Sequence, residues 1–264
     1  MNLMQKNEYM RARLVVKPEV EAAKAALDKE RTVDTWYDYG MALSHAGRSE
    51  EAVDAYSQGL VEYPFSSMLY FARGRRFMGP KQYDRAIADF TMALRLEPDV
   101  YLYWYYRAVT NNLRGDYAAA IYDFRQALRF TQPLERYCII DWLFTCYVEA
   151  GDKEGARKVL DEIEDDLPSP DMDYDYKQRV RLYKGLETPE TLIDRDEIRK
   201  HVPDPMDDLR LDITTLLFGQ YVYYLYHDEQ EKAGQVLLEI LKDPYEGAFA
   251  TVKARAAAKE RGLI

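Results

Sequence analysis

The sequence has only two cysteines in 264 residues, Cys138 and Cys146. They fall in one helical stretch, eight residues and about 12 Å apart. A disulfide needs Cα atoms within roughly 7 Å, so they are expected to be small apolar side chains in a reducing compartment. Histidine is nearly as scarce. His45, His201 and His227 are scattered and none has an HExxH-type spacing, so no metal site is expected. The sequence lacks GxGxxG, Walker A, GxSxG and CxxC motifs, which leaves no recognisable cofactor or catalytic signature. The stretch DMDYDY places Asp171, Asp173 and Asp175 like the start of a calcium loop. It then has Tyr176 where glycine is required and Leu182 where glutamate is required, and is expected to be a solvated acidic loop.

A basic excess is also missing. Thirty-six Lys and Arg against 46 Asp and Glu give a net charge of −10, which argues against a nucleic-acid face and against an anionic membrane surface. No run approaches the roughly 18 apolar residues of a spanning helix. The opening MNLMQKNEYMRARL has no uninterrupted apolar core for a signal peptide and no cysteine for a lipid anchor. A cytoplasmic location follows as the expectation.

A repeat of 34 residues runs through the chain. Trp36, Tyr70 and Trp104 are spaced by 34, as are Ala52, Ala86 and Ala120, and Tyr56, Phe90 and Phe124. Pro64 and Pro98 keep the same step, with Pro133 one residue late. Within each unit, positions 4, 8 and 11 share one face of a first helix, and positions 20, 24 and 27 share one face of a second. Small residues at 8 and 20 let the helices approach. Gly47 and Gly115 suit the left-handed end of the first helix, and the prolines stop the second.

These units resemble the tetratricopeptide repeat (TPR), whose pattern is aromatic at 4, Gly or Ala at 8, Gly at 15, Ala at 20, aromatic at 24, Ala at 27 and Pro at 32. The first unit supplies Trp36, Gly40, Gly47, Ala52, Tyr56, Gly59 and Pro64. The second has Lys81 in place of the mid-repeat glycine, and its Gly74, within RGRR, is a repeat position rather than part of a phosphate loop. The resemblance implies an all-α, right-handed α-solenoid of antiparallel helix pairs. Units fall at 33–66, 67–100, 101–134 and, shifted by two residues and set by Gly151, Ala156 and Pro168, at 137–170. Residues 1–32 are expected to hold an N-terminal segment and a capping helix that starts at Pro18. Residues 171–213 hold a helical insert, with Thr188 as an N-cap, and the proline-rich loop HVPDPMDDL. Residues 214–264 hold a fifth, degenerate unit and a C-terminal capping helix stopped at Gly262. The later units also look similar to bacterial TPR adaptor proteins.

YLYWYY at 101–106 would be an aggregation-prone run in a strand. In this register it is a first helix that is apolar on every side, as a middle repeat buried on most sides requires. Position 7 is arginine and position 23 aspartate in units two and three only, Arg73 with Asp89 and Arg107 with Asp123. This joint recurrence predicts a hydrogen-bonded ion pair between the two helices.

In the family, ligands lie in a concave groove lined by positions 2, 5, 9 and 12 of first helices. The resemblance therefore implies a partner-binding groove made of Tyr37, Met41, Phe71, Arg75, Tyr105, Val109, Asn112, Asp141 and Thr145. Tyr37 and Met41 stand where the chaperone-tail-binding subclass has Lys and Asn. The expected function is a non-catalytic scaffold or adaptor for a protein or peptide. A self-associating structural protein, a homo-oligomer, is the second reading, and an unrecognised enzyme the third.

Overall fold

The computed structural model describes residues 2–15, 18–165, 167, 173–201 and 208–264. Pro168, Asp171 and most of HVPDPMDDL lie outside the described residues. All regular structure among the described residues is helical, and the chain has the α-solenoid fold of stacked antiparallel helix pairs. It divides into two compact units, residues 1–130 and 131–264.

The first unit contains α1 (Leu3–Val15), α2 (Val20–Lys29) and three pairs: α3 (Val33–His45) with α4 (Ser49–Glu62), α5 (Ser67–Met78) with α6 (Tyr83–Leu96), and α7 (Tyr101–Arg114) with α8 (Tyr117–Phe130). Local chemistry marks the helix ends. Thr32 and Thr35 form a reciprocal capping box at α3, and Ser66 accepts the Leu69 amide at α5. Between the helices of each pair the chain turns through one left-handed residue, Gly47, Lys81 or Gly115. Lys81 adopts the glycine conformation, with φ 59°.

Each pair closes on a small residue. The Tyr56 ring lies so close to Gly40 that an added Cβ would meet it at 2.2 Å, and Phe90 covers Gly74 at 2.8 Å in the same way. Position 24 thus fills the space that position 8 leaves open. Burying such a side chain contributes about 1.5–3 kcal/mol. Four of the six residues of YLYWYY are buried; Trp104 and Tyr106 are half-exposed. Trp104 meets Tyr122 of its own second helix, 6.3 Å between ring centres, and donates to the Pro98 carbonyl at 2.8 Å.

The second unit holds α9 (Arg136–Glu149), preceded by a 3-10 turn over Pro133–Glu135, then α10 (Lys153–Leu160), α11 (Tyr174–Tyr183), α12 (Arg195–His201), α13 (Arg210–Tyr226), α14 (Gln230–Lys242) and α15 (Phe249–Glu260). α9 pairs with α10 and α13 with α14, while α11 packs on both α9 and α13. The left-handed turn recurs at Gly151 and Asp228. Cys138 and Cys146 are buried thiols that are not joined in a disulfide.

Four local expectations change. Residues 3–15 form a helix of their own. Pro18 precedes α2 rather than opening it, because Glu19 takes the N-cap position. Thr188 caps only a single turn, accepting the Leu192 amide at 3.0 Å, and α12 starts at Arg195 because Asp194 accepts the Asp196 and Glu197 amides. Asp173 and Asp175 are not in a solvated loop: Asp173 is buried, and Oδ1 of Asp175 is enclosed, because α11 lies between α9 and α13.

Candidate functional site

In the first unit α3 touches α5 and α5 touches α7, so the first helices form one row. The expected stripe lies along it. Tyr37, Met41, Phe71, Tyr105, Val109 and Asn112 are each at most 9% exposed, and Arg75 is half-buried. Phe71 contacts Tyr103 and Tyr106 of the next first helix at 4.9 and 5.3 Å between ring centres. The Arg75 guanidinium lies over the Tyr106 ring at 5.0 Å and near Phe71 at 5.9 Å. Tyr105 turns its ring edge-on to Phe124 of its own second helix at 5.8 Å. Most of the stripe is therefore a floor packed between helices, with Arg75 rising from it.

Arg76 lies beside Arg75. The electrostatic neighbours of Arg76 are Arg75, Tyr56, Tyr106 and Tyr37; those of Tyr56 begin with Arg76, Tyr37 and Arg75. The Tyr37 and Tyr56 hydroxyls and the Arg76 Nε are all enclosed, and no protein group among the described residues hydrogen-bonds to them. Burial pushes both tyrosines above their ordinary pKa, so both stay protonated. Burial, and then the Arg75 charge, pull the Arg76 pKa down.

Helix α1 lies against the same unit. Lys6 pairs with Asp99 at 3.1 Å. Asn7 donates to the Phe130 carbonyl at 3.1 Å and accepts the Tyr101 amide at 3.3 Å. Met10 Sδ accepts from the Tyr103 hydroxyl at 3.8 Å. Arg13 pairs with Asp38 and sits 4.5 Å above the Tyr37 ring. A cavity of about 570 Å³ remains between α1, the turn that carries Phe65 and the start of α5 at Met68.

The two arginine–aspartate pairs expected from the repeat are present and bidentate. Arg73 binds both Asp89 oxygens at 2.8 Å, and Arg107 binds those of Asp123 at 2.7 and 2.9 Å. Each arginine also reaches the preceding unit, Arg73 to Ser57 at 3.1 Å and Arg107 to Thr91 at 3.0 Å. These groups tie the two helices of each pair to one another and to the preceding unit.

Asp141 and Thr145 belong to the second unit, where both are fully enclosed. Arg179 of α11, itself 1% exposed, brings Nε to 2.9 Å from Asp141 Oδ1 and donates its aligned hydrogen bond to the Tyr183 hydroxyl at 3.3 Å. Its stem crosses Gly219 of α13, where an added Cβ would meet Arg179 Cγ at 2.5 Å. Burial raises the Asp141 carboxyl to about 6 against the pull of Arg179; burial and then Asp212 raise Asp175 to about 7.

A family model described as tetratricopeptide repeat matches residues 3–67 and 71–134. The chain belongs to the tetratricopeptide-repeat family. Solved TPR structures share its fold. One, a tetratricopeptide repeat protein from Parabacteroides merdae, aligns at a TM-score of 0.57 and 16% identity over 95% of this chain and 94% of that one. YrrB, described as a TPR protein with an unusual peptide-binding site, aligns at 0.50 and 14% over 89% and 99%. The chain spans only 38% of its counterpart in the Naa15/Naa10 complex bound to HypK-THB, at 20% identity and a TM-score of 0.43 over 96% of this chain. No curated protein sequence matches it.

The repeat register alone locates the TPR row of first helices and its Arg75. It does not single out Arg76 or Tyr56, which occupy positions the groove stripe omits, or Arg179, which lies outside the repeats. The signal for Arg76 is the adjacent pair Arg75–Arg76, with no acidic residue one helical turn to either side.

Proposed function

We propose that this TPR protein is a non-catalytic scaffold that binds a protein or peptide partner along the first-helix row of residues 33–114. The observation that carries this reading is the row itself: consecutive first helices in contact, floored by Tyr37, Met41, Phe71, Tyr105, Val109 and Asn112, with Arg75 and Tyr106 half-exposed above the floor. An aromatic floor edged by a few polar groups suits an extended or helical peptide, with side-chain contacts setting specificity. The description of YrrB as having a peptide-binding site supports the same use of the fold. The charge of −10 makes a nucleic-acid ligand a poor match. The carboxylates buried in repeats two and three, Asp89 and Asp123, are occupied by arginine, which supports binding rather than catalysis.

The test is site-specific photo-crosslinking in a lysate of the source organism. A benzoyl-phenylalanine in place of Tyr106 keeps an aromatic ring in the row. The same residue in place of Tyr122, 57% exposed on a second helix, is the control. A discrete heterologous adduct at position 106 and none at 122 is the expected result. An adduct at 122 only would move the binding surface off the row, and adducts solely of twice the chain mass would favour self-association.

A further inference from the structure

The cavity of about 570 Å³ beside α1 has the size of a ligand-binding cleft, which runs to about 300–1,000 Å³. It stands apart from the peptide-binding row proposed above: none of Tyr37, Phe71, Arg75 and Tyr105 lines it. Met10, Met68 and Tyr103, each at most 8% exposed, give it an apolar floor. Phe65 also lines it yet is 82% exposed, and Val61, at the end of α4, is 83% exposed. These are the two most exposed large apolar side chains among the described residues. Apolar groups left in water beside a cleft mark an interaction site.

Charge selects the occupant. Asp34, Glu62 and Glu97 line the cavity against a single cation, Lys6. Lys6 is held by both oxygens of Asp99 at 3.1 Å. Asp34 has Arg13, and Glu62 has Arg31 and the Trp36 indole. The Glu97 side chain has no hydrogen bond or ion pair among the described residues. The open end of α5 and Lys6 would suit an anion, but three carboxylates repel one and Lys6 is already taken. A purely apolar ligand would cover Glu97 without a counter-ion, which is unfavourable. A long cationic side chain meets every feature. Its methylene stem packs on the apolar floor while its head reaches a carboxylate, and aromatic faces such as those of Tyr9 and Tyr63 attract the cation.

We propose that this cavity holds a basic side chain of a protein partner, an arginine or a lysine, paired with Glu97, while an apolar neighbour of that side chain rests on Phe65. Helix α1 supplies one wall through Tyr9 and Met10, so the site is complete only with α1 in place. The site does not depend on the first-helix row, and either can fail without the other.

The test follows the 13C-labelled methionine methyl groups of the full-length protein by NMR. The probes are four capped tripeptides, Gly-X-Leu, with arginine, lysine, norleucine or glutamate at X. The Met10 and Met68 methyls should shift saturably with the arginine or lysine peptide. Met41, buried in the row and outside the cavity, should not move. Whichever basic peptide binds tighter identifies the head group. Norleucine keeps the stem without the charge, and its peptide should bind at least about fivefold more weakly, the upper scale of one part-exposed ion pair. Glu97→Gln should remove most of that difference. Phe65→Ser should weaken binding of both basic peptides and leave the melting temperature unchanged, because the ring is in water; a ring that served folding would lower it. Methyls of Met10 and Met68 that no basic peptide moves would overturn the site. So would norleucine or glutamate peptides that bind as tightly as the basic ones, or a charge preference that survives Glu97→Gln. Shifts at Met41 alone would overturn the cavity and favour the row. A Phe65→Ser protein that melts lower and binds as before would overturn the contact assigned to Phe65.

Discussion

Asp123 shows how much one side chain can hold. Its carboxylate is 3% exposed and takes two bonds from Arg107 and one from Asn111 at 3.1 Å. Burial raises its pKa and Arg107 opposes that rise. Arg107→Ala leaves a nearly dry carboxylate without its counter-ion and also cuts the tie to Thr91. Such losses cost about 3–5 kcal/mol, against at most about 1 kcal/mol for an exposed pair such as Arg157–Asp161. Urea unfolding of Arg107→Ala and Arg157→Ala should show that gap, and equal small losses would rule out the buried pair as a major contributor. This pair was legible in the sequence because duplication printed it twice in register. Arg179–Asp141 was not, because its partners come from α9 and α11, which belong to no common repeat and share no fixed spacing.

At the scale of elements, the turn between the helices of a pair is where the repeat departs from its own rule. Gly47, Gly115 and Gly151 supply the left-handed residue, whereas Lys81 and Asp228 adopt it with side chains, at φ 59° and 61°. A non-glycine residue there is strained by roughly 1–2 kcal/mol, partly balanced by the greater freedom of glycine in the unfolded chain. Lys81→Gly is therefore expected to stabilise by up to about 1 kcal/mol, and Gly115→Ala to destabilise by about the same. Paired melting curves check both signs. The hairpins α3–α4, α5–α6 and α7–α8 were legible from small and aromatic residues at fixed offsets, because helix packing demands those volumes. The start of α12 was misread at Thr188 because two capping residues, Thr188 and Asp194, compete six residues apart and only tertiary packing selects one. Helix α1 was missed because it falls before the 34-residue register that starts at residue 33, although the family model reaches it, and because its partners are distant: Asp99, Tyr101 and Phe130 lie more than 90 residues away.

At the scale of the whole molecule, half of the chain carries its own pH dependence. In residues 131–264 the Asp175 carboxyl is raised to about 7, by burial first and then by Asp212, with Arg179 opposing and Asp141 and Asp173 adding to the rise. Because an acid raised in the folded state binds its proton more tightly there than in the unfolded chain, stability falls as pH rises through that window. Hydrogen exchange of α11 amides, corrected for intrinsic rates, should show weaker protection at about pH 8 than at about pH 5.5. Asp175→Asn should flatten the difference, and a wild type as well protected at the higher pH would contradict the placement of this carboxyl.

In residues 1–130, α1 changes how the array holds together. Stacked repeats touch only their neighbours, so an array of this kind unzips from its ends, one unit at a time. Helix α1 binds Asp34 and Asp38 of the first pair and Tyr101 and Tyr103 of the third. It works as a splint laid across the joints. With it in place, the first pair is tied to the third as well as to its neighbour, so peeling it away breaks contacts to α1 in addition to those of the stack, and a segment built from interchangeable modules is expected to melt more cooperatively than its repeats alone.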